Sequence, residues 1–351
     1  MRIGLITPAN VWKCPFIRIY TEILDDVGIE YDIISWNKDG CEKQKYQYEK
    51  RCDAGKGVLN LLSYLKFGWY VKRMVRKNKY DKLIIFSPQL AIFIVSLLLR
   101  DYKGKYIFDY RDLSIEQKKY LKPIFRKVLQ NSFANVISSP GFKKCLPQNF
   151  TYYLSHNFNV NCAKEALGKV SKNPSMEDKI KILTIGAIRD YTSNTEVIKS
   201  LGNNPNFSLS FVGKGGAAKA IEEFANENNI ENIYFEGYYP KERESEYILD
   251  STFINIYYPR IITHDTALSN RFYNSLIFRR PMIVTKDTTQ GDLAESYNVG
   301  IAIKDCSNLE SEIKEFMKQD YIAYSQRCDS LLQDFLKDQN LFENIVREFL
   351  K

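Results

Sequence analysis

The chain has 351 residues, of which 44% are hydrophobic and 26% are charged, and its net charge is +8. This length is enough for two domains with complete cores, and the composition excludes a largely disordered protein. The charge is uneven, because residues 1–158 hold 27 Lys and Arg against 14 Asp and Glu, whereas the remainder holds 23 against 28. The first half therefore favours an anionic partner such as a phosphorylated substrate, a membrane surface or nucleic acid.

Apolar runs of strand length alternate with helical patterns from the start of the chain. In the first half, strands are predicted at 2–7, 31–36, 82–86, 105–110, 135–140 and 151–157, and a helix at 16–28. Gly28 is placed to cap that helix. The longest apolar run, 83–99, is interrupted by Ser-Pro-Gln and is short for a membrane span, so a strand and a buried helix are predicted there.

The same alternation begins again after a polar stretch. Strands are predicted at 180–187, 207–216, 232–240, 251–258, 281–285 and 299–303. The predicted fold class is α/β, with two doubly wound Rossmann-like domains at 1–160 and 179–335 and a linker at 161–178. A final helix at 336–351 has one apolar side and can pack back on the first domain.

Residues 56–82 form an unusually basic segment, with eight basic residues and one acid. Leu61, Leu62, Leu65 and Trp69 are spaced to share one face of a helix. Two interpretations stay open. The segment either lies on an anionic membrane surface, or it packs on the sheet as an ordinary helix with a solvated basic face.

Seven cysteines without a Cys-x-x-Cys pair, only two histidines and the lack of an Asp-x-Asp triplet argue against a metal site. Scattered thiols are typical of a reducing cytosol, and no signal peptide opens the sequence, so a cytoplasmic location is expected. No nucleic-acid-binding module is recognisable, so nucleic acid is not an expected partner.

Two glycine turns follow strands of the second half. Gly186 ends one strand with Arg189 three residues on, and Gly213 ends another with Lys214 and Gly215. In a doubly wound sheet ligands bind at the carboxyl ends of strands, where glycine lets the backbone approach a phosphate and cations can neutralise a pyrophosphate. The alternative is that the glycines only make the turns.

The segment 267–285, ALSNRFYNSLIFRRPMIVT, predicts a helix that begins at a Ser269 cap and leads into a short buried strand after Pro281. Taken with the two turns, it resembles the GT-B glycosyltransferases, particularly the retaining family-four type that builds bacterial surface polysaccharides. The similarity covers nearly the whole chain and rests on KILTIGAIRDYTSN, LSFVGKGG, IYFEGYYPKERESEYILDSTFINIYY and LSNRFYNSLIFRRPMIV in the second half, and on YIFDYRDLS, VISSPGFKKCL and YYLSHNF in the first.

The resemblance implies two domains that face a cleft, with a UDP- or GDP-linked sugar as co-substrate and no further cofactor. It implies donor-binding positions at the strand ends and around the start of the signature helix: Gly186, Gly213, Gly215, Tyr238, His264, Ser269, Asn270, Arg271 and Asn274. The catalytic candidates are Arg189, Lys214, Asp265 and Asp112. Arg18 and Arg111 would bind the acceptor, which is expected to be a lipid-linked glycan at the inner face of the plasma membrane.

The chain also departs from the family pattern. The usual donor-side pair of glutamates falls on Thr266 and Asn274, and the ribose would meet the amide. Asp265 either supplies the lost carboxylate or is a helix N-terminal acid without a chemical role. The usual cations of the first turn are absent, which makes Arg189 a shifted substitute. His264 either contacts the donor or is a loop histidine.

The leading hypothesis is therefore a metal-independent transferase of a hexosyl or N-acetylhexosaminyl group, with retention implied by the resemblance. One alternative is a sugar-nucleotide epimerase on the same plan, which would need acid and base groups in the cleft. The other alternative is a catalytically degenerate protein that scaffolds polysaccharide assembly, which the loss of two glutamates favours. The presence of Arg189, Lys214 and Arg271 instead favours a catalytically active protein.

Overall fold

A computed structural model describes residues 1–49, 58–169 and 179–351 of the chain. These residues divide into two compact units, unit 1 formed by Met1–Asn157 with Lys337–Lys351 and unit 2 formed by Phe158–Leu336. The predicted linker overlaps a short helix, Val160–Ala166, and its remaining part from 170 to 178 lies outside the described residues.

Unit 1 is built on a parallel sheet that has seven strands in the described part of the chain. The strands β1–β7 are Arg2–Ile6, Glu30–Trp36, Tyr46–Tyr48, Lys82–Phe86, Tyr106–Tyr110, Ala134–Ile137 and Tyr152–Leu154. The helices α1–α5 are Ile17–Asp26, Val58–Asn78, Pro88–Phe93, Val95–Asp101 and Lys122–Asn131, with 3₁₀ turns at Val11–Lys13, Ile115–Gln117 and Pro140–Lys144. The strand order is β3-β2-β1-β4-β5-β6-β7, so the direction of winding reverses between β1 and β4.

Unit 2 repeats the plan with six parallel strands among its described residues, in the order β10-β9-β8-β11-β12-β13. The strands β8–β13 are Ile180–Ile185, Phe207–Val212, Ile233–Glu236, Phe253–Ile256, Met282–Thr285 and Gly300–Ile303. The helices α6–α14 are Val160–Ala166, Tyr191–Leu201, Ala218–Glu227, Glu244–Asp250, Ile262–Thr266, Asn270–Ile277, Thr289–Tyr297, Leu309–Phe316 and Tyr321–Phe349, with a 3₁₀ turn at Lys241–Arg243. Here the winding reverses between β8 and β11.

The predicted α/β class with two Rossmann-like halves is confirmed. Each predicted strand is present, and β3 is an additional short edge strand. The apolar run 83–99 forms β4 and then two helices instead of the single predicted helix: α3 ends at Phe93, and α4 begins at Val95. No helix in the described ranges is long and apolar enough to cross a membrane.

The last helix is much longer than the predicted one and contributes to both units. Its final residues belong to unit 1, where Phe342, Val346 and Phe349 are buried with Ile3 and Leu5 of β1. This helix packs there because its apolar residues recur every three to four positions and form one continuous side.

Candidate donor site at the carboxyl edge of the unit 2 sheet

Two adjacent strands of unit 2 end in glycine turns that touch each other. Gly186 follows β8 with φ +92°, and Gly213 follows β9 with φ +132°. The Gly186 N–H donates to the carbonyl of Val212 at 2.8 Å, and a Cβ built on Gly213 would lie 2.0 Å from the Gly186 carbonyl oxygen. Only glycine fits at position 213, so the two turns present bare backbone at this edge.

The loop after Gly213 is held equally closely to the loop after Gly186. A Cβ on Gly215 would lie 1.9 Å from the Ile188 carbonyl oxygen, and the Ile188 N–H donates to the Lys214 carbonyl at 3.2 Å. The two predicted glycine turns are thus one packed structure. The glycines at 213 and 215 do more than make a turn, because the first loop leaves no room for a side chain at either position.

The two predicted cations stand on these loops. Arg189 and Lys214 are exposed, and neither has an ion-pair partner among residues 1–49, 58–169 and 179–351. The ammonium of Lys214 lies 5.8 Å from the centre of the Tyr238 ring, which is 74% exposed. The edge of the sheet therefore offers positive charge beside bare backbone and an exposed aromatic ring, a combination suited to a phosphorylated aromatic ligand.

Arg271 is buried and holds the first turn in place. Its Nε, Nη1 and Nη2 donate to the carbonyl oxygens of Ile185, Asn255 and Ala187, the latter two at 3.2 Å and 3.0 Å. Residues 185 and 187 flank Gly186, so the guanidinium satisfies carbonyls on both sides of the turn. The sequence suggested a direct contact with the donor, and in the structure most of this cation is engaged by the protein itself.

The start of α11 is capped as the sequence predicted. The Ser269 hydroxyl accepts a hydrogen bond from the Phe272 N–H at 3.3 Å and donates to the Gln290 side-chain oxygen at 2.7 Å. Gln290 is 3% exposed, and its oxygen also accepts from the Ser269 N–H at 2.9 Å. Asn270 is exposed at the first helical position. The helix ends at Ile277. Between its end and Pro281, Arg279 adopts a left-handed backbone conformation with φ +55°.

A carboxylate that sequence reasoning missed lies against Asn274. The Asn274 side chain donates from Nδ2 to Glu244 at 3.1 Å, and the Tyr239 hydroxyl donates to the other oxygen of Glu244 at 3.0 Å. Lys241 also pairs with this carboxylate, whose side chain is only 16% exposed. Burial and the Glu244 charge raise the pKa of Tyr239 well above its usual range. The Tyr239 oxygen would be 3.9 Å from a Cβ on Gly186, so the cluster adjoins the first turn.

Asp265 and His264, on α10, are both engaged within unit 2. The Asp265 carboxylate accepts from Arg260 at 2.9 Å and 3.3 Å, which makes a two-point ion pair. His264 Nδ1 lies 3.2 Å from the Pro259 carbonyl oxygen, and its ring packs at 5.2 Å on Tyr258. The carboxylate that is hydrogen-bonded to Asn274 is therefore that of Glu244, whereas the Asp265 carboxylate is paired with Arg260.

The predicted acceptor residues of unit 1 differ sharply in exposure. Arg111 is 9% exposed, and its Nε and Nη2 each donate at 2.6 Å to the fully buried carboxylate of Asp109. It also donates to the Ser155 carbonyl at 3.0 Å and hydroxyl at 2.9 Å. Asp112 is exposed directly after it, and Arg18 is exposed and paired with Glu22 at 2.6 Å. Arg111 thus acts as a buried structural cation beside the more accessible Asp112.

No family model matches the sequence, and no curated protein is similar to it in sequence. Solved structures are similar over the full length. Sucrose-phosphate synthase from Thermosynechococcus elongatus has a TM-score of 0.73 at 13% identity, with 100% of this chain and 99% of that chain covered. HepE from Anabaena, solved with UDP and glucose, has a TM-score of 0.65 at 10% identity, with 99% and 100% covered.

WaaG, a glycosyltransferase involved in lipopolysaccharide biosynthesis, has a TM-score of 0.64 at 12% identity, with 98% of this chain and 99% of that chain covered. These identities are too low to carry an activity from one chain to another, whereas the agreement in fold extends over both units. Together with the two parallel sheets, the similarity establishes that the chain has the GT-B fold.

Proposed function

We propose that the chain is a glycosyltransferase that moves a sugar from a nucleotide-diphosphate sugar to a hydroxyl group. The observation that carries this proposal is the pair of interlocked glycine turns with Arg189 and Lys214 unpaired beside them. Two further findings support it: the fold is that of GT-B glycosyltransferases, and HepE with this fold was solved with UDP and glucose.

The transfer breaks the bond between the sugar C1 and the diphosphate oxygen and forms a bond between C1 and the acceptor oxygen. The leaving diphosphate gains negative charge, and we propose that Lys214 and Arg189 stabilise this charge. The first N–H groups of α11 add a favourable field, and Arg271 positions the Gly186 turn. Protein cations and backbone donors would thus supply the charge stabilisation, and the proposed reaction is metal-independent.

We assign the nucleoside to the surface formed by Tyr238, Asn274 and Glu244. Tyr238 is exposed enough to stack on a base. Asn274 can donate to and accept from a ribose hydroxyl, and Glu244 supplies the carboxylate that Asn274 lacks. Because Asn274 Nδ2 is bonded to Glu244, the amide also fixes the orientation of this carboxylate. We propose uracil or guanine as the base, and titration with UDP and GDP distinguishes the two.

On the acceptor side we assign Asp112 as the group that accepts the proton of the attacking hydroxyl, Arg18 as a further acceptor-binding residue and Arg111 as a positioning residue. We propose a lipid-linked glycan of bacterial surface polysaccharide, such as capsule or O-antigen, as the acceptor, and retention at C1. The six cysteines within the described residues are free thiols, which supports a cytoplasmic location. The inner face of the plasma membrane is the expected place of action.

The direct test is incubation with radiolabelled nucleotide sugars and a pool of lipid-linked acceptors. We expect transfer of one labelled sugar, lost in Lys214→Met and retained in Lys219→Met, which removes an exposed lysine of α8. Conversion of a sugar nucleotide without an acceptor would replace the proposal with the epimerase alternative. No transfer and no donor binding with any common sugar nucleotide would replace it with the scaffold alternative.

A further inference from the structure

The helix α2 of unit 1 is apolar on two opposite sides. Its inner side carries Phe67, Val71 and Val75, which are at most 1% exposed in the core of the unit. Its outer side carries three leucines and a tryptophan that are 45–66% exposed: Leu61, Leu62, Leu65 and Trp69. A helix that packs on a sheet needs only one apolar side, and the outer four side chains are not part of the core that the described residues of unit 1 form.

The exposed apolar residues and a set of cations form one continuous face. At about 100° per residue, positions 61, 62, 65 and 69 fall within an arc of about 100°. The cations on the same side of the helix are Lys66, Lys72, Arg73 and Arg76. The Arg73 guanidinium lies 6.0 Å from the centre of the Trp69 ring, which joins the apolar part to the basic part. We call these eight residues the α2 outer face.

The cations of this face are not paired with acids in the described residues, although the pKa of Asp101 is lowered by its pairing with Arg100 and also by the Arg76 charge. None of the four forms an ion pair within the part of the chain that the structure describes. Burial is the largest cause that lowers the pKa of Lys72, and repulsion from Arg76 and Arg100 adds to it. Arg100, on the neighbouring helix α4, is paired with Asp101 at 2.6 Å. An anionic partner would relieve this repulsion.

We infer that the α2 outer face docks the chain on an anionic lipid surface. The three leucines and Trp69 would enter the boundary between headgroups and acyl chains, and the four cations would contact lipid phosphates. A nucleic acid would use the cations but leave the leucines in water, and an acidic protein would need a matching apolar groove. The helix is too polar to span a bilayer, which leaves an orientation in the plane of the surface.

This inference does not rest on the proposed transfer reaction, because binding is measured without sugar nucleotide. The full chain is floated with vesicles of phosphatidylcholine alone or mixed with phosphatidylglycerol. We expect binding to the anionic vesicles only, weakened by salt. Each neutralised cation should weaken binding about fivefold, so the quadruple Gln variant at 66, 72, 73 and 76 should lose more than about a hundredfold.

Matched controls lie elsewhere in unit 1. The triple variant Lys118→Gln, Lys119→Gln, Lys143→Gln removes exposed cations from other segments, and Leu341→Asp changes a leucine that is 59% exposed. We expect both to bind like the unmodified chain, whereas Leu65→Asp should weaken binding about tenfold or more. Equal binding to neutral vesicles, or equal losses in the controls and the α2 variants, would overturn the inference.

Tryptophan emission tests insertion separately from electrostatic attraction. In Trp12→Phe the remaining tryptophans are Trp36, which is fully buried, and Trp69, which is 66% exposed. We expect the emission to shift to shorter wavelength on anionic vesicles, and the shift to disappear in the Trp12→Phe, Trp69→Phe double variant. Vesicle binding without any shift would contradict docking through this face, since Trp69 would then stay in water.

Discussion

The carboxyl edges of the two sheets use arginine in opposite ways. Arg111 follows β5 of unit 1, is nearly buried and forms a two-point ion pair with a fully buried Asp109. Arg189 follows the β8 turn of unit 2, is exposed and has no ion pair in the described part of the chain. A cation at a strand end therefore indicates a ligand only when the protein leaves it unpaired.

The cause of the difference is visible in the strands themselves. Asp109 and Arg111 are two residues apart, so they fall on the same side of their strand and its extension. A buried carboxylate requires a cation and donors, and Arg111 and the Tyr20 hydroxyl provide them, while the Ser155 hydroxyl accepts a hydrogen bond from Arg111. In unit 2 Asp190 follows Arg189 directly, but the two form no ion pair in the described part of the chain, so the Arg189 charge is available to a ligand.

The largest expected effect comes from breaking the paired arginine. Arg111→Met would leave the Asp109 carboxylate buried without a cation, which should cost about 3–5 kcal/mol of unfolding free energy. Urea unfolding followed by tryptophan emission reports this, because the three tryptophans, at positions 12, 36 and 69, all belong to unit 1. Arg18→Met is the control, since its pair with Glu22 is exposed and should contribute less than about 0.5 kcal/mol. Equal losses in the two variants would contradict the structural role of Arg111.

The next effect comes from the interlocked turns. Gly213→Ala introduces a Cβ that collides with the Gly186 carbonyl and an unfavourable positive φ, which together should cost about 2–4 kcal/mol. Gly216→Ala is the matched control, because nothing lies within 4 Å of its Cβ position. Thermal unfolding followed by circular dichroism measures both. If Gly213→Ala destabilises the protein no more than Gly216→Ala does, the assignment of a close contact between the two turns is wrong.

The unpaired cations should affect binding without affecting stability. Arg189→Met and Lys214→Met should each change the unfolding free energy by less than about 0.5 kcal/mol. Each should weaken nucleoside diphosphate binding by about 1.5–3 kcal/mol, because a charge-assisted contact is lost. Isothermal calorimetry with UDP and GDP measures the affinity. A loss of stability comparable to that of Arg111→Met would remove the contrast between the two units.

A smaller effect is expected at the ribose. Glu244→Gln should reduce the preference for a ribonucleotide over its 2′-deoxy form by about 1–2 kcal/mol, because the charge-assisted acceptor is lost. Glu246→Gln changes an exposed acid of the same helix and should leave the preference intact. If Asn274→Ala leaves nucleotide affinity unchanged and Glu244→Gln leaves the preference unchanged, the ribose assignment is wrong and Asp265 becomes the residue to test.

The smallest effect is a pH dependence of unit 1. His156 is 1% exposed, and burial lowers its pKa below 6.5 despite Asp338 at 3.2 Å, with the Arg111 charge acting in the same direction as burial. The folded state favours the neutral form of His156. The resulting contribution to the free energy of unfolding is therefore fully present above about pH 6.5 and is lost as the pH falls toward the folded pKa. The slope of the free energy of unfolding against pH should stay below about 1.4 kcal/mol per pH unit. Urea unfolding at successive pH values should show a flatter slope in His156→Gln, and an unchanged slope would exclude His156 as the cause.

The alternation of apolar runs was enough to predict both sheets, because buried parallel strands are short and uniformly apolar. β3 was missed because Tyr46–Tyr48 is a three-residue edge strand with no such run. Glu244 was missed because it is one of three acids at alternate positions in KERESEY, and only the contact with Asn274 distinguishes it. The Asp109–Arg111 pair could have been found, since the spacing of two on a strand already places the charges together.

We propose that the turns of unit 2, with Arg189 and Lys214, bind the diphosphate of a nucleotide sugar. The most direct measurement is a calorimetric titration of UDP and GDP into the unmodified chain, Lys214→Met and Lys219→Met. We predict saturable binding of one nucleotide, at least about tenfold weaker in Lys214→Met and unchanged in Lys219→Met. A silent titration of the unmodified chain with both nucleotides, or equal affinity in all three proteins, would contradict the claim.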